Sequence, residues 1–274
     1  MWMAPCAPDF KSEAAASSGS QFVLHDHVDP SFFDGPDVPD RATAIVVSAQ
    51  TVSKSFLEAW RAKCPQEPTL TLVRRGTSLG SIDMAAAKQL GIDVVNTPGV
   101  NSPHVAKFVV ETLGLSDKEA KAVVVGTGSV GKVVIQLMKD VGVTPTVVNR
   151  SPESPSLASA LEGASYVAVC AATSSEPIFT ADHVEALLGG TQRSIQICSV
   201  SRPEAFSLEA IMLIAQRPGQ AHLRFDYGDS VLAPTRDKVN KDGVVENVTW
   251  SSNAMSSVAC KQDMDVAVLQ LLKA

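Results

Sequence analysis

Residues 121–151 read KAVVVGTGSVGKVVIQLMKDVGVTPTVVNRS, and no other stretch constrains the fold as strongly. An apolar run, Ala122 to Val125, leads into Gly126-Thr127-Gly128-Ser129-Val130-Gly131. Apolar residues at helical spacing follow (Val133, Val134, Leu137, Met138), then a second apolar run from Thr146 to Val148. Strand, glycine turn, helix and strand form the setting in which G-x-G-x-x-G has a physical meaning. Gly126 permits the tight turn, Gly128 lets the backbone approach a pyrophosphate, and Gly131 lets the helix pack closely on the strand. Ser129 and Val130 open the helix with Gly131, and its free N–H groups and positive end suit phosphate groups.

The end of the second strand selects the cofactor. An NAD site carries Asp or Glu about 20 residues past the glycines, accepting from the ribose 2′-OH. Asn149-Arg150-Ser151 stands here without an acid. A guanidinium with small hydrogen-bonding neighbours suits a 2′-phosphate, which it can grip through two bonds. The expected cofactor is NADP(H) in preference to NAD(H).

Composition bounds the rest. With 274 residues there is room for two domains, and 45% hydrophobic with 19% charged residues is ordinary for a globular protein. The net charge of −6 and the absence of a basic stripe argue against nucleic acid as a partner. No apolar run approaches the ~20 residues that span a bilayer, and the N-terminus has no apolar core of the signal-peptide kind. The five cysteines are scattered and lack C-x-x-C spacing, so they read as reduced thiols of a cytoplasmic protein and not as a disulfide or metal framework.

Residues 1–20 are small and polar and predict a disordered tail. Beyond them strands and helices alternate. Strands are expected at Gln21–Leu24, Ala42–Val47, Thr69–Val73 and Ile92–Val95. Helices are expected at Thr51–Lys63 (capped by Thr51 or Ser53), Asp83–Gln89 and His104–Leu113. After the glycine unit, Ser165–Cys170, Ser194–Cys198, Ala221–Phe225 and Val248–Trp250 read as strands. Thr180–Leu188, Ser207–Ala215 and Ser256–Leu272 read as helices. Such alternation predicts an α/β protein with two doubly wound, parallel-sheet, Rossmann-like domains and a cleft between them, with the site at the carboxyl ends of the strands.

Residues 74–113, RRGTSLGSIDMAAAKQLGIDVVNTPGVNSPHVAKFVVETL, resemble the hallmark region of the D-isomer-specific 2-hydroxyacid dehydrogenases, which include phosphoglycerate dehydrogenase. The match rests on Gly76, Ile82-Asp83, Ala86-Ala87, Gly91-Ile92, Asn96-Thr97-Pro98-Gly99, Asn101 and Val105-Ala106, upstream of the glycine motif. The resemblance implies a substrate domain of residues 21–113 plus 255–274 around a dinucleotide domain of residues 114–254. It implies that Arg202, in SVSRPEAF, binds the substrate carboxylate and polarises the carbonyl. It places the N–H groups of Ser78 and Leu79 where the family holds that carboxylate, and Asp226 at the cofactor. By the same mapping Asn101 and His104 line the interdomain cleft, although His104 reads more readily as a helix-start residue than as an acid–base group. Arg74 is either half of a solvated Arg74-Arg75 pair or a contact to a second anionic group.

The chain departs from the family pattern in three places. The family's histidine, in P-H-x-G, falls on Asn253, and an amide can orient a carbonyl but cannot deliver a proton. The family's glutamate, in D-V-F-x-x-E-P, falls in FDYGDSV, which keeps Asp226 but offers no matching acid. The long connection before the glycine motif, part of the family's dimer arm, is nearly absent, so a homodimer with an altered arm is expected. The expected activity is NADP(H)-dependent reduction of a small 2-oxo acid or related carbonyl, with Arg202 and Asn253 at the substrate and the proton supplied by water, Tyr227, Lys261 or another group. Reduction of an imine or conjugated alkene, a non-catalytic NADP-binding sensor, and a relic with an open cleft are the alternatives.

Overall fold

The computed structural model describes residues 28–35, 42–48, 50–173, 175–189 and 194–273. The expected tail and the strand Gln21–Leu24 lie outside the described residues. The chain divides into two compact units, Met1–Asn101 with Ser257–Ala274, and Ser102–Ser256.

The first unit holds a parallel sheet of β1 (Ala44–Val47), β2 (Leu70–Arg74) and β3 (Ile92–Asn96), paired in chain order. Helix α1 (Lys54–Lys63) begins at Ser53, whose hydroxyl accepts from the Phe56 N–H, the satisfied first-turn donor that an N-cap provides. Its apolar stripe of Phe56, Leu57 and Trp60 is fully buried, worth about 1.5–3 kcal/mol per side chain of that size. The Trp60 indole donates to the Ala42 carbonyl at 2.7 Å. Asp83 caps α2 (Met84–Gln89) by accepting from Ala86 N–H. The closing helix α9 (Val258–Lys273) buries Cys260, Met264, Asp265 and Val268. Arg75, at the end of β2, meets Asp265 at 2.8 Å and donates to the Lys261 carbonyl at 2.9 Å.

The second unit is built on six parallel strands: β4 (Lys121–Val125), β5 (Thr146–Val148), β6 (Ala164–Val169), β7 (Ile195–Ser199), β8 (Ala221–Asp226) and β9 (Val248–Ser251). Their order is β5-β4-β6-β7-β8-β9. The chain steps outward from β4 to β5, then crosses back to place β6 on the other side of β4. This reversal is the switch point where open α/β sheets hold ligands. Alternate residues face opposite layers, as a strand requires. Val123, Val167, Ile197, Leu223 and Phe225 sit beneath α5 (Leu157–Leu161), α6 (Ala181–Gly189), α7 (Leu208–Ala215) and α8 (Asp229–Val239). Val124, Tyr166, Ala168 and Cys198 sit beneath α3 (Ser102–Leu113) and α4 (Ser129–Asp140).

Helix α3 corrects the expected boundary at residue 113. Its apolar face, Ala106, Val109 and Leu113, is completed by Val124, Met138 and Cys198, so it belongs with the glycine-turn unit and the division falls after Asn101. Cys64, Cys198 and Cys260 are buried free thiols and Cys170 is a half-buried one; Cys6 lies outside the described residues. Among the described residues no helix is long and apolar enough to cross a membrane.

Candidate functional site

The glycine turn joins β4 to α4, and each glycine has a distinct steric reason. Gly126 has φ +99°, and a Cβ there would lie 2.7 Å from the Ala171 backbone. Its N–H donates to the Val148 carbonyl at 2.8 Å, while Cys170 N–H donates to the Val125 carbonyl at 2.8 Å. These two bonds knit the carboxyl ends of β4, β5 and β6. A Cβ on Gly131 would run into the carbonyl oxygen of Gly126, so the first turn of α4 is pressed against the loop that precedes it. Gly128 is different, because a Cβ there would meet nothing within 4 Å. It is the N-cap of α4 and supplies no side-chain bond, which leaves the first-turn N–H groups around Ser129 and Val130 for a ligand.

Beside this turn lies a pocket of about 390 Å³. Its walls are Val125–Gly128 from β4, Val148–Arg150 from β5, and Cys170–Ala172 with Ile178 after β6. No acid lines it. Asn149 and Ser151 shape its rim: Asn149 Oδ1 accepts from Ser151 N–H at 2.7 Å and Ser154 Oγ accepts from Asn149 N–H at 3.0 Å. Arg150 is exposed and makes no ion pair among the described residues. A chamber at the switch point, with bare helix amides on one side and an exposed guanidinium on the other, has the chemistry to hold a dinucleotide. Burial pushes the Cys170 thiol in its wall up to about 12, and Cys198 rises chiefly for the same reason. Neither thiol is poised as a nucleophile.

Arg202 emerges just past β7. The neighbouring Ser201 hydroxyl is buried and donates to the Ala171 carbonyl at 2.6 Å, so this strand end is fastened to the pocket wall. Arg202 caps the single turn Pro203–Ala205, its side chain is 47% exposed, and its Nε lies 3.4 Å from Glu204 Oε2. An exposed pair of this kind is weak and readily exchanged for another anion.

Asp226, at the end of β8, does not line the glycine pocket. It is buried, and its Oδ2 accepts from Ser251 Oγ and Asn253 N–H, both at 2.7 Å, while Oδ1 accepts from Ala254 N–H at 3.1 Å. It therefore fixes the loop after β9 that presents Asn253, whose side chain is exposed.

In the first unit the loop after β2 turns at Gly76, φ +121°, whose N–H donates to Thr97 Oγ1 at 2.8 Å. Arg74 folds back onto the Arg75 carbonyl. Among the described residues the N–H groups of Ser78 and Leu79 have no acceptor. Asn101 ends this unit, and His104 lies in the first turn of α3 in the other; both are half-buried. The structure thus gathers Gly126, Gly128, Asn149, Arg150, Arg202 and Asn253 at the carboxyl ends of the larger sheet, and Arg74, Ser78 and Leu79 at the end of the smaller one. Sequence reasoning missed Cys170, Ala171, Ala172 and Ile178. The only signal for them was their place after the strand beside the switch point. Among the described residues no group of three or more His, Cys, Asp or Glu is arranged to hold a metal ion.

The fold is similar to those of several solved enzymes. 3-Phosphoglycerate dehydrogenase of Entamoeba histolytica, with NAD+ bound, aligns with a TM-score of 0.73 at 17% identity, over 98% of this chain and 91% of that one. D-lactate dehydrogenase of Escherichia coli gives 0.77 at 14% identity, over 97% and 92%. An NADPH-dependent glyoxylate/hydroxypyruvate reductase of Sinorhizobium meliloti gives 0.74 at 18% identity, over 100% and 93%. No curated protein matches the chain in sequence. The model of the family described as D-isomer specific 2-hydroxyacid dehydrogenase, catalytic domain, matches residues 34–261. The chain therefore belongs to the D-isomer-specific 2-hydroxyacid dehydrogenases, a family of NAD(P)-dependent oxidoreductases.

Proposed function

We propose that the protein is an NADP(H)-dependent reductase of a small carboxylate-bearing 2-oxo acid or related carbonyl, working as a homodimer with an altered arm in the cytoplasm. The observation that carries the cofactor choice is the rim of the glycine pocket, where Arg150 is exposed and, among the described residues, no acid is present to accept from a ribose 2′-OH. Gly126, Gly128, Ser129, Val130 and Gly131 would hold the diphosphate, and Asn149, Arg150 and Ser151 the 2′-phosphate. The bound cofactor supplies the hydride. Arg202 exchanges its weak Glu204 contact for the substrate carboxylate and polarises the carbonyl. The Ser78 and Leu79 N–H groups donate to the substrate carboxylate, with Arg74, Asn101 and His104 as further substrate contacts. Asp226 acts indirectly, by bracing the loop that carries Asn253, and Asn253 orients the carbonyl without donating a proton.

The test is Arg150→Ala in fluorescence titrations with both cofactors. Losing a charge-assisted contact of about 1.5–3 kcal/mol weakens NADPH about tenfold to a hundredfold and leaves NADH nearly unchanged. Equal weakening of both would remove the 2′-phosphate assignment. The amide at position 253 favours one second reading, reduction of an imine or conjugated alkene. There NADPH binds tightly, 2-oxo acids are not turned over, and Asn253→His does not create that turnover.

A further inference from the structure

A second concavity, about 210 Å³, lies in the same unit and shares no lining residue with the glycine pocket. Thr112, Gln196, His222, Arg224, Asn247 and Thr249 line it. Its origin is strand register. Gln196 pairs with His222, and Arg224 pairs with both Cys198 and Thr249. Since Ile195, Ile197, Leu223, Phe225 and Val248 point into the apolar layer, their alternates point to the opposite face. Helices α3 and α4 cover that face over β4, β6 and Cys198, but His222 and Thr249 remain exposed over β8 and β9.

The chemistry of the lining is one-sided. Beside the apolar Ile197 and Leu223 it offers a guanidinium, an imidazole, two hydroxyls and two amides and, among the described residues, no carboxylate. Arg224 spends Nε on Thr249 Oγ1 at 3.3 Å, which sets the plane of the guanidinium and leaves its two terminal nitrogens unmatched among the described residues. That fork matches two oxygens of a phosphate. Asn247 adds an independent observation. It is 2% exposed, and its Nδ2 donates to the carbonyls of Ile214 at 2.7 Å and Ala221 at 2.9 Å. Those two acceptors fix the orientation of the amide, so Oδ1 is left as a buried acceptor with no donor among the described residues. Native structures rarely leave such an atom unmatched.

We propose that this concavity binds a small phosphate monoester that also carries a hydroxyl. Arg224 grips two phosphate oxygens, His222 donates to the third, and Asn247 Oδ1 accepts from the hydroxyl. The volume is below the roughly 300–1,000 Å³ of pockets for larger ligands, which limits the ligand to a few heavy atoms. A carboxylate, with only two oxygens, would leave the imidazole unused.

Calorimetric titration of the full chain with glycerol 3-phosphate, inorganic phosphate and glycerol tests this. Glycerol 3-phosphate should bind one per chain and more tightly than either fragment. Arg224→Gln should weaken it about tenfold to a hundredfold, with dinucleotide binding and circular dichroism unchanged, and Arg150→Ala should leave it unaffected. Should Arg224→Gln fail to fold, Arg224→Lys keeps the charge and loses the fork, and the same ligand should still weaken. Absence of binding at millimolar glycerol 3-phosphate overturns the proposal. So does loss on Arg150→Ala instead of Arg224→Gln, which would place the ligand in the glycine pocket. Dissociation of a dimer by Arg224→Gln without phosphate binding overturns it too, by making this face an interface.

Discussion

The backbone N–H of Asn253 donates to Oδ2 of Asp226 at 2.7 Å, across the ends of neighbouring strands. With the bonds from Ser251 Oγ and Ala254 N–H, one buried side chain sets the loop that holds the amide at the expected substrate position. Asp226→Ala removes both acceptor oxygens and with them all three bonds. With about 1.5–3 kcal/mol for a bond to a charged group, urea unfolding should register a loss of at least about 3 kcal/mol. Asp226→Asn keeps one carbonyl oxygen and should lose about half as much. A stability loss under 1 kcal/mol for the alanine variant would show the loop to be held by other contacts.

The glycines of the turn should separate folding from binding. Gly131→Ala drives a methyl into the Gly126 carbonyl oxygen, so it should cost about 1–3 kcal/mol as an overpacked substitution does and weaken the cofactor as well. Gly128→Ala meets nothing within 4 Å and should leave the melting temperature within a degree or two while weakening dinucleotide binding at least about tenfold, a loss of about 1.4 kcal/mol. Thermal melts and cofactor titrations of the two variants, side by side, check this.

Arg75 and Asp265 are 4% and 3% exposed. Removing the acid takes the countercharge from a buried guanidinium that also donates to the Lys261 carbonyl. Asp265→Ala should therefore cost about 3–5 kcal/mol in chemical denaturation, and a joint Arg75→Met, Asp265→Leu replacement should recover most of it. Failure of the joint replacement to recover stability would mean that the pair does more than neutralise itself.

Cys170 should be slow toward alkylation despite facing the cofactor pocket. Burial raises its thiol from 9.0 to about 12, so at pH 8 only about one molecule in ten thousand carries the thiolate. The unfolded chain loses this proton first. The contribution of Cys170 to stability is therefore full below pH 9.0 and is lost as pH rises toward about 12. Iodoacetamide labelling followed by mass spectrometry, native against urea-unfolded, gives the comparison.

Much of this architecture was legible in the sequence because its signals are local. Ser53, Asp83 and Ser207 cap helices within their own first turns, and the valine runs of β4 and β5 announce a sheet covered on both faces. Helix α8 was missed because Pro234 lies inside it and only Leu232 and Val239 are buried along its length, so no apolar stripe marks it. Helix α5 is five residues long, too short for a periodic signal. The boundary after Asn101 was missed because the apolar stripe of α3 says that it packs, not upon which sheet. The bracing role of Asp226 depends on register between β8 and β9, a relation between segments that neither segment carries alone.

The strand that delivers Arg150 to the pocket is also the outermost of its sheet among the described residues, and it is three residues long. Pro145 precedes it, and Pro152 and Pro155 follow within a few residues. A proline has no N–H to offer an incoming strand, and so short a ladder gives a stranger little to align with. The brevity that places the guanidinium at the rim of the pocket therefore also guards this side of the sheet against recruiting foreign strands. Lengthening β5 toward residue 155 would expose the protein to aggregation before it changed any chemistry.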